Sequence, residues 1–168
     1  MTTEPQFPDM PKTSAGATVL AVGTDLVHIP DFETQLDQPG TVFAQQAFTA
    51  RELRDTHRRA QEKGSRPAQH LAARWAAKEA FIKAWSQALN TRAGGASAPV
   101  IVPDDVDWSD IEVVTDRWGR PSLRLRGAIA RAVETSLGEG SGRPGAWPVS
   151  LTHDGDWAAA IVLAVTSP

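Results

Sequence analysis

Residues 68–89 read AQHLAARWAAKEAFIKAWSQAL, an alanine-rich run that contains neither glycine nor proline. Alanine and unbranched side chains favour the helix, so this run predicts the longest helix of the chain. On a helical wheel of about 100° per residue, its large apolar residues fall in one narrow stripe: Leu71, Trp75, Ile82, Trp85 and Leu89. We therefore expect this helix to form the centre of the fold.

Two cations interrupt the apolar stripe. Lys78 falls in its middle and Arg74 at its edge, although an unpaired ammonium is costly to bury. The Lys78 stem could run along the stripe and bring its charge to water at one end. Alternatively, the stripe could face a crevice that holds anions or carboxylates. The residues alone leave both interpretations open.

The segments before the long helix predict one strand and two helices. An apolar strand over residues 17–22 ends in Gly23-Thr24-Asp25, and a short helix follows over about 30–37, with a proline in its first turn. Thr49 and Glu52 have the spacing of a capping box for a basic helix that ends near Glu62.

The segments after the long helix predict mainly strands. Residues 111–114 and 122–125 flank a turn and form a hairpin, and residues 127–137 have helical spacing. Strands over 147–152 and 157–165 are joined by His153-Asp154-Gly155-Asp156, in which Asp-Gly favours a tight turn. The order predicts an α+β fold with a small antiparallel sheet packed on the long central helix.

Composition limits the classes of protein that this chain can belong to. A length of 168 residues suits one domain, which we place at residues 17–168 after a proline-containing tail over 1–16. The absence of cysteine excludes thiol chemistry and disulfides. Apolar runs are too short to cross a bilayer and the first residues lack a secretion signal, so we expect a cytoplasmic protein. The basic stretches lack interleaved aromatic residues, and nucleic-acid binding is not favoured.

Four side chains are candidates for phosphate chemistry. Asp25 follows an apolar strand, and Glu79 lies on the flank of the helical stripe. If their carboxylates converge, they form a site for Mg²⁺ that water and phosphate oxygens complete. Glu79 and Lys83 also have the spacing of an ordinary surface ion pair, and His153 could be a simple turn residue or a phosphate or acid-base contact.

Three segments resemble a known family. They are GTDLV at residues 23–27, LAARWAAKEAFIKA at residues 71–84 and VSLTH at residues 149–153. Together they are similar to holo-[acyl-carrier-protein] synthases, the small trimeric class of phosphopantetheinyl transferases, over about residues 17–166. DQPGTVF at residues 37–43 and WGRP at residues 118–121 look most like actinobacterial members.

The resemblance implies a reaction. The 4′-phosphopantetheine arm of coenzyme A would pass to a serine of an acyl carrier protein, free-standing or part of a fatty-acid synthase, for fatty acid biosynthesis. Adenosine 3′,5′-bisphosphate would be released. The assembly would be a homotrimer whose sites combine residues of two chains.

The resemblance also implies roles for individual residues. Asp25 and Glu79 would hold Mg²⁺ against the coenzyme A diphosphate, and Lys83 would contact the diphosphate and could protonate the departing oxygen. Lys78 would lie beside the metal pair. The remaining positions that match cofactor-binding positions of the family are Arg74 and His153 at the 3′-phosphate, together with Gly119, Arg120 and Pro121.

Two departures from the family pattern affect partner and cofactor contacts. The first helix after the strand begins Pro30-Asp31-Phe32-Glu33, where many members carry a basic residue that docks the acidic carrier. We therefore expect the carrier on the basic helix over residues 51–63. The glycine-rich stretch usual after the long helix is replaced by residues 85–90, WSQALN, so coenzyme A contacts there are expected to be rearranged or ordered on binding.

Two other functions use the same residues. A Mg²⁺-dependent phosphohydrolase or nuclease would pass the phosphate to water, and would release adenosine bisphosphate from coenzyme A without any carrier. A non-catalytic module that binds coenzyme A or the carrier would bind equally well with or without metal.

Overall fold

The computed structural model describes residues 16–166. Its helices and strands are, in chain order, β1 (Thr18–His28), α1 (Ile29–Leu36), α2 (Phe43–Ala47), α3 (Ala50–Lys63), α4 (Pro67–Ala93), β2 (Ile111–Thr115), β3 (Pro121–Leu125), α5 (Gly127–Leu137), β4 (Val149–Asp154) and β5 (Trp157–Thr166). Almost all of the predicted tail over residues 1–16 lies outside the described residues. Among the helices of residues 16–166, none combines the length and the apolar character that a bilayer crossing requires.

The strands form two antiparallel sheets. In the larger sheet β5 lies between β1 and β4, and the smaller sheet is the hairpin of β2 and β3. β5 pairs with β1 from Thr18 opposite Thr166 to His28 opposite Trp157. Both sheets and α4 match the α+β fold expected from the sequence, and this prediction is confirmed.

The first strand is longer than the sequence indicates. β1 continues to His28, so Asp25 lies inside the strand rather than at its end. The sequence placed the end of the strand at Gly23-Thr24-Asp25 because the apolar run stops at Val22. Instead, residues 24–28 continue the antiparallel ladder with β5, and Asp25 pairs with Ala160. Strand pairing both before and after Asp25 therefore fixes the position of this residue.

Helix α4 is buried around most of its circumference, which corrects the expectation of a single narrow apolar stripe. Leu71 and Trp85 of the stripe are buried, but so are Ala76, Ala80 and Ala84, which lie outside it. The helical wheel located the buried face from the large apolar side chains alone. Alanine side chains are small, so a face made of alanines can also be buried by close packing. The Trp75 ring packs on the rings of Phe43 and Trp108, and the Trp85 ring nitrogen donates to Ser136 of α5. On the other side, the alanines allow β1 to approach the helix.

Gly23 is the point of closest approach between β1 and α4. A Cβ atom added at Gly23 would lie 1.9 Å from the Ala80 carbonyl oxygen and 2.5 Å from the Ala84 nitrogen. Both of those atoms belong to the helix backbone and cannot rotate away. Glycine is therefore the residue that this contact requires.

Short helix α2 was not predicted. It is only five residues long, and the aromatic side chains at its ends stabilise it through tertiary contacts. The Phe43 ring lies 5.1 Å from the Trp75 ring, and the Trp75 ring lies 4.6 Å from that of Trp108. Such a helix has too few residues for a periodic signal.

Lys78 lies in the core and not beside the carboxylate pair, which corrects the role that the resemblance implied for it. The side chain is 0% exposed, and its Nζ atom lies 2.9 Å from Glu52 Oε2. It also donates to the carbonyl oxygens of Ala47 at 2.7 Å and Trp108 at 2.9 Å. Burial lowers the pKa of Lys78, and the charge of Glu52 opposes this shift.

Glu52 binds three elements together. Its carboxylate closes the predicted capping box by accepting from the Thr49 nitrogen at 2.9 Å, and it accepts from the Val113 nitrogen at 2.9 Å. The Lys78 ion pair ties this group to α4. The cation in the apolar stripe therefore joins α3 and α4 to strand β2.

Loss of the lysine charge is expected to destabilise the protein. The Lys78→Met variant leaves the Glu52 carboxylate buried without its cation, and should lower the free energy of unfolding by about 3 kcal/mol. Chemical denaturation measures this loss. The double variant Lys78→Met, Glu52→Gln should lose less than the two single variants added together, and strict additivity would show that the pair does not interact.

Candidate active site

Asp25, Glu79 and Lys83 meet where β1 crosses α4. The Lys83 ammonium donates to Asp25 Oδ1 at 2.7 Å and to the Thr24 carbonyl oxygen at 3.2 Å. The Asp25 side chain is only 11% exposed, whereas that of Lys83 is 51% exposed. The lysine therefore balances a largely buried carboxylate from the solvent side.

Glu79 faces the same point without a counter-ion of its own. Burial raises the pKa of the Glu79 carboxyl, the negative charge of Asp25 raises it further, and Lys83 acts in the opposite direction. Within residues 16–166, Glu79 makes no side-chain hydrogen bond and no ion pair within 4.0 Å. The site thus holds two carboxylates close enough to affect each other's ionisation, and one ammonium.

The donor set suits a hard divalent ion. Among residues 16–166, no group of three or more His, Cys, Asp or Glu side chains is placed to hold a metal ion. Two carboxylates alone would leave most of an octahedral shell to water and to a ligand, as is common for Mg²⁺ at phosphate sites. The residues present therefore fit Mg²⁺ bound together with a phosphate group.

An open cavity of about 670 Å³ lies next to Asp25 and Lys83. It is bounded by residues 24–26 of β1, residues 150–152 of β4 and residues 159–161 of β5. Asp25 and Lys83 are thus accessible from the sheet.

Arg74 belongs to a second group of side chains. Its guanidinium is 3% exposed, and Nη1 donates to the His70 carbonyl oxygen at 3.2 Å. The Nε and Nη2 atoms of Arg74 are buried with no hydrogen-bond partner among the described residues. The His70 ring contacts the His153 ring edge to face at 5.7 Å, and His153 itself is exposed. Arg74 and His153, which the resemblance links, therefore both lie near His70.

His70 also belongs to this group, although the sequence analysis did not select it as a candidate. Its Nε2 atom lies 2.9 Å from the Ser65 hydroxyl oxygen. Burial lowers the pKa of His70 to about 4, and the electrostatic effects of His153, Arg74, Lys63 and Arg59 lower it further, in that order. The spacing of four residues between His70 and Arg74 was the available signal.

The lowered pKa predicts a pH effect on stability. An unfolded histidine binds a proton near pH 6.5, whereas folded His70 resists protonation down to about pH 4. Stability from neutral His70 is therefore complete above pH 6.5 and falls as the pH drops from 6.5 towards 4. His70→Gln should show a smaller loss of unfolding free energy over this window, measured by urea denaturation, and equal slopes would contradict the assignment.

The hairpin residues occupy the turn between β2 and β3. Gly119 has φ +84°, a conformation that favours glycine, and Pro121 begins β3. The Arg120 guanidinium lies 2.6 Å from Asp116 within the same turn. The Asp116 carboxylate also accepts from the backbone nitrogens of Trp118 and Arg120, so the turn is held together by this one side chain.

Carboxylates and buried arginine lie on different faces of α4. Arg74 and Glu79 are five residues apart, which in an ideal helix is about 140° of rotation and about 7.5 Å of rise. Glu79 and Lys83 are one turn apart and share a face. Among the described residues, the carboxylates with Lys83 and the group around Arg74 therefore form two separate clusters, which we call half-sites.

Comparison with known proteins identifies the class. A family model described as the 4′-phosphopantetheinyl transferase superfamily matches residues 21–162. This chain belongs to that superfamily.

Similarity is specific within the superfamily. A holo-[acyl-carrier-protein] synthase from Mycobacterium tuberculosis is 52% identical over 145 residues, which cover 86% of this chain and 95% of that protein. One from Corynebacterium efficiens is 48% identical over 143 residues, covering 85% and 92%. The solved complex of ACPS with CoA from Chronobacterium ammoniagenes has a TM-score of 0.71 and 43% identity, covering 88% of this chain and 98% of that one. The resemblance seen in the sequence is confirmed.

Proposed function

We propose that this protein transfers the 4′-phosphopantetheine arm of coenzyme A to a serine hydroxyl of an acyl carrier protein and releases adenosine 3′,5′-bisphosphate. The observation that carries the proposal is the pair of facing carboxylates, Asp25 and Glu79, with Lys83 beside them at an open cavity. A holo-[acyl-carrier-protein] synthase that is 52% identical to this chain, and a solved complex of ACPS with CoA that is 43% identical, support the choice of substrates.

Each of these side chains would have a role in the reaction. Asp25 and Glu79 would hold Mg²⁺, which when bound polarises the attacked phosphoryl group and lowers the pKa of a bound hydroxyl. Lys83 has an ammonium within reach of Asp25 and exposed to the cavity. It would bind the diphosphate and give a proton to the departing phosphate oxygen.

The second half-site would bind the other end of coenzyme A. Arg74 has two buried N–H groups that lack partners, and such groups are costly unless a ligand accepts from them. With His153 it would bind the 3′-phosphate, and the turn at Gly119, Arg120 and Pro121 would lie against the adenosine. In this arrangement the nucleotide is bound by Arg74 and the diphosphate by Lys83.

A homotrimer is part of the proposal. The face of the larger sheet that points away from α4 exposes large apolar residues, with Val22 at 50%, Leu26 at 60% and Ile161 at 42% exposure. Exposed apolar patches of this kind mark association surfaces. Because the cavity at Asp25 borders this face, a neighbouring copy seated there would add its own Arg74 half-site to the carboxylate pair.

Intact-protein mass spectrometry tests the transfer. Candidate carrier proteins and carrier domains are incubated with coenzyme A, Mg²⁺ and this protein, and one serine should gain the mass of one phosphopantetheine arm. Release of adenosine bisphosphate without a carrier would instead indicate the phosphohydrolase. Binding of coenzyme A that is unchanged by metal removal, with no mass gain, would indicate the non-catalytic module.

Carrier docking is expected on α3. Arg51, Arg54 and Arg58 are exposed on this helix, and Arg54 has no carboxylate within 4.0 Å among residues 16–166, while Arg51 and Arg58 share Asp55. Reversal of all three charges to glutamate should raise KM for the carrier at least tenfold and leave KM for coenzyme A unchanged, because a rim charge steers association. Unchanged carrier affinity would show that the carrier docks on another surface.

The cytoplasmic location stays a prediction.

A further inference from the structure

Arg59 lies on the inner side of α3, and neither the sequence nor the comparisons assign it a role. Its Nη2 atom donates to the Thr115 hydroxyl at 2.9 Å, next to the hairpin turn. Its Nη1 atom lies 3.3 Å from the point where a Cβ atom of Gly119 would be. The absence of a side chain at Gly119 therefore leaves the space that the Arg59 guanidinium occupies.

Arg59 also has an unused donor. Its Nε atom is buried without a hydrogen-bond partner among residues 16–166, as are Nε and Nη2 of Arg74. A buried donor without an acceptor costs roughly 1–3 kcal/mol, so three of them near one another are unusual in a native fold. Within residues 16–166 these donors have no acceptor.

Arg59 lies close enough to Arg74 for their charges to interact. Burial lowers the pKa of Arg74, and the positive charge of Arg59 lowers it further, against the opposing effect of Glu52 and Asp55. Those two acids already have partners: Glu52 binds Lys78, and Asp55 faces Arg51 and Arg58. Within the described range, neither Arg59 nor Arg74 has a carboxylate within 4.0 Å.

The missing partner is an anion with several acceptor oxygens. A phosphate dianion accepts from two guanidinium groups at once, and arginine suits it because its donors form a rigid fork. Arg59 contacts the turn at Gly119. A nucleotide with its phosphate at Arg74 and its nucleoside against that turn would therefore lie next to Arg59. Arg59 thus stands between the two parts of the proposed nucleotide site.

We propose that Arg59 is a second binding residue for the 3′-phosphate of coenzyme A and that it gives this site its selectivity for the 3′-phosphorylated nucleotide. The inference rests on the proposed function, since it takes coenzyme A as the ligand. It assigns Arg59 to binding, with no part in the transfer step at Asp25 and Glu79.

Isothermal titration calorimetry with adenosine 3′,5′-bisphosphate and with AMP tests the role directly. Arg59→Gln keeps an amide donor towards Thr115 but removes the charge and the Nε donor. It should weaken binding of adenosine 3′,5′-bisphosphate 10- to 100-fold and leave AMP binding within twofold. Arg131→Gln, a change at an exposed arginine of α5, is the matched control and should alter neither affinity.

Transfer kinetics provide the second readout. Arg59→Gln should raise KM for coenzyme A and leave both kcat and the KM for dephospho-coenzyme A unchanged, and Arg59→Lys should recover part of the loss. Equal weakening of both nucleotides, or of neither, overturns the role of Arg59. Arg74→Gln separates the two claims. If Arg59→Gln has no effect, but Arg74→Gln loses the preference for the 3′-phosphorylated nucleotide and transfer persists, the proposed function stands and only the role of Arg59 is overturned. Absence of transfer by the unaltered protein overturns both.

Discussion

Asp25→Asn is expected to reduce kcat for phosphopantetheine transfer by about 10³-fold or more, equivalent to about 4 kcal/mol of transition-state stabilisation. The change keeps the size of the side chain but removes one of the two anionic donors that face each other at the cavity. It also leaves Lys83 without its ion-pair partner at 2.7 Å. Single-turnover assays with saturating coenzyme A measure the loss.

Glu79→Gln should give a loss of the same order, since either acid alone is a poor site for a divalent ion. Asp104→Asn, at an exposed acid outside the site, is the control and should transfer at the unaltered rate. Circular dichroism should show the same folded signal for all three variants. Retention of kcat within a factor of ten in Asp25→Asn would remove this carboxylate from the chemistry.

Gly23→Ala is expected to lower the free energy of unfolding by at least about 4 kcal/mol, beyond the usual cost of overpacking. The added Cβ would lie 1.9 Å from the Ala80 carbonyl oxygen, and neither backbone can move without separating β1 from α4. Because Asp25 and Glu79 are held by those two elements, any remaining folded protein should also lose activity. Denaturant titration and transfer assays measure both effects.

Gly95→Ala is the matched control for this change. A Cβ at Gly95 would meet nothing within 4 Å, so this substitution should change stability by less than about 1 kcal/mol. If both glycine variants unfold at the same denaturant concentration, then β1 and α4 are not in backbone contact.

Local signals in the sequence were sufficient for most of the elements. The Thr49 and Glu52 capping box, the alanine-rich helix and the hairpin depend on residues close together in the chain, and all are present. The predicted end of β1 was wrong because the apolar run stops at Val22, just before Gly23. In the structure it permits a contact with α4, more than fifty residues away.

The side chains of the long helix show what a sequence pattern leaves open. The wheel places Lys78 and Arg74 near the same stripe, but its geometry does not name their partners. Lys78 is paired with Glu52, which comes from α3 and was interpreted only as a cap. Arg74 keeps unpartnered donors, and Arg59, whose neighbours are in the hairpin, was one of many basic residues in its segment. The roles of Lys78 and Arg74 thus depend on contacts with residues far away in the sequence.

Convergence of Asp25 and Glu79 was a conditional expectation, because no local pattern links a strand to a helix so far along the chain. The most direct test is a crystal structure with coenzyme A and Mn²⁺ in place of Mg²⁺, in which anomalous scattering locates the ion. One anomalous peak should lie within about 2.3 Å of a carboxylate oxygen of each of the two residues. An ion bound elsewhere, or one that touches neither acid while the diphosphate is in place, would contradict the proposed site.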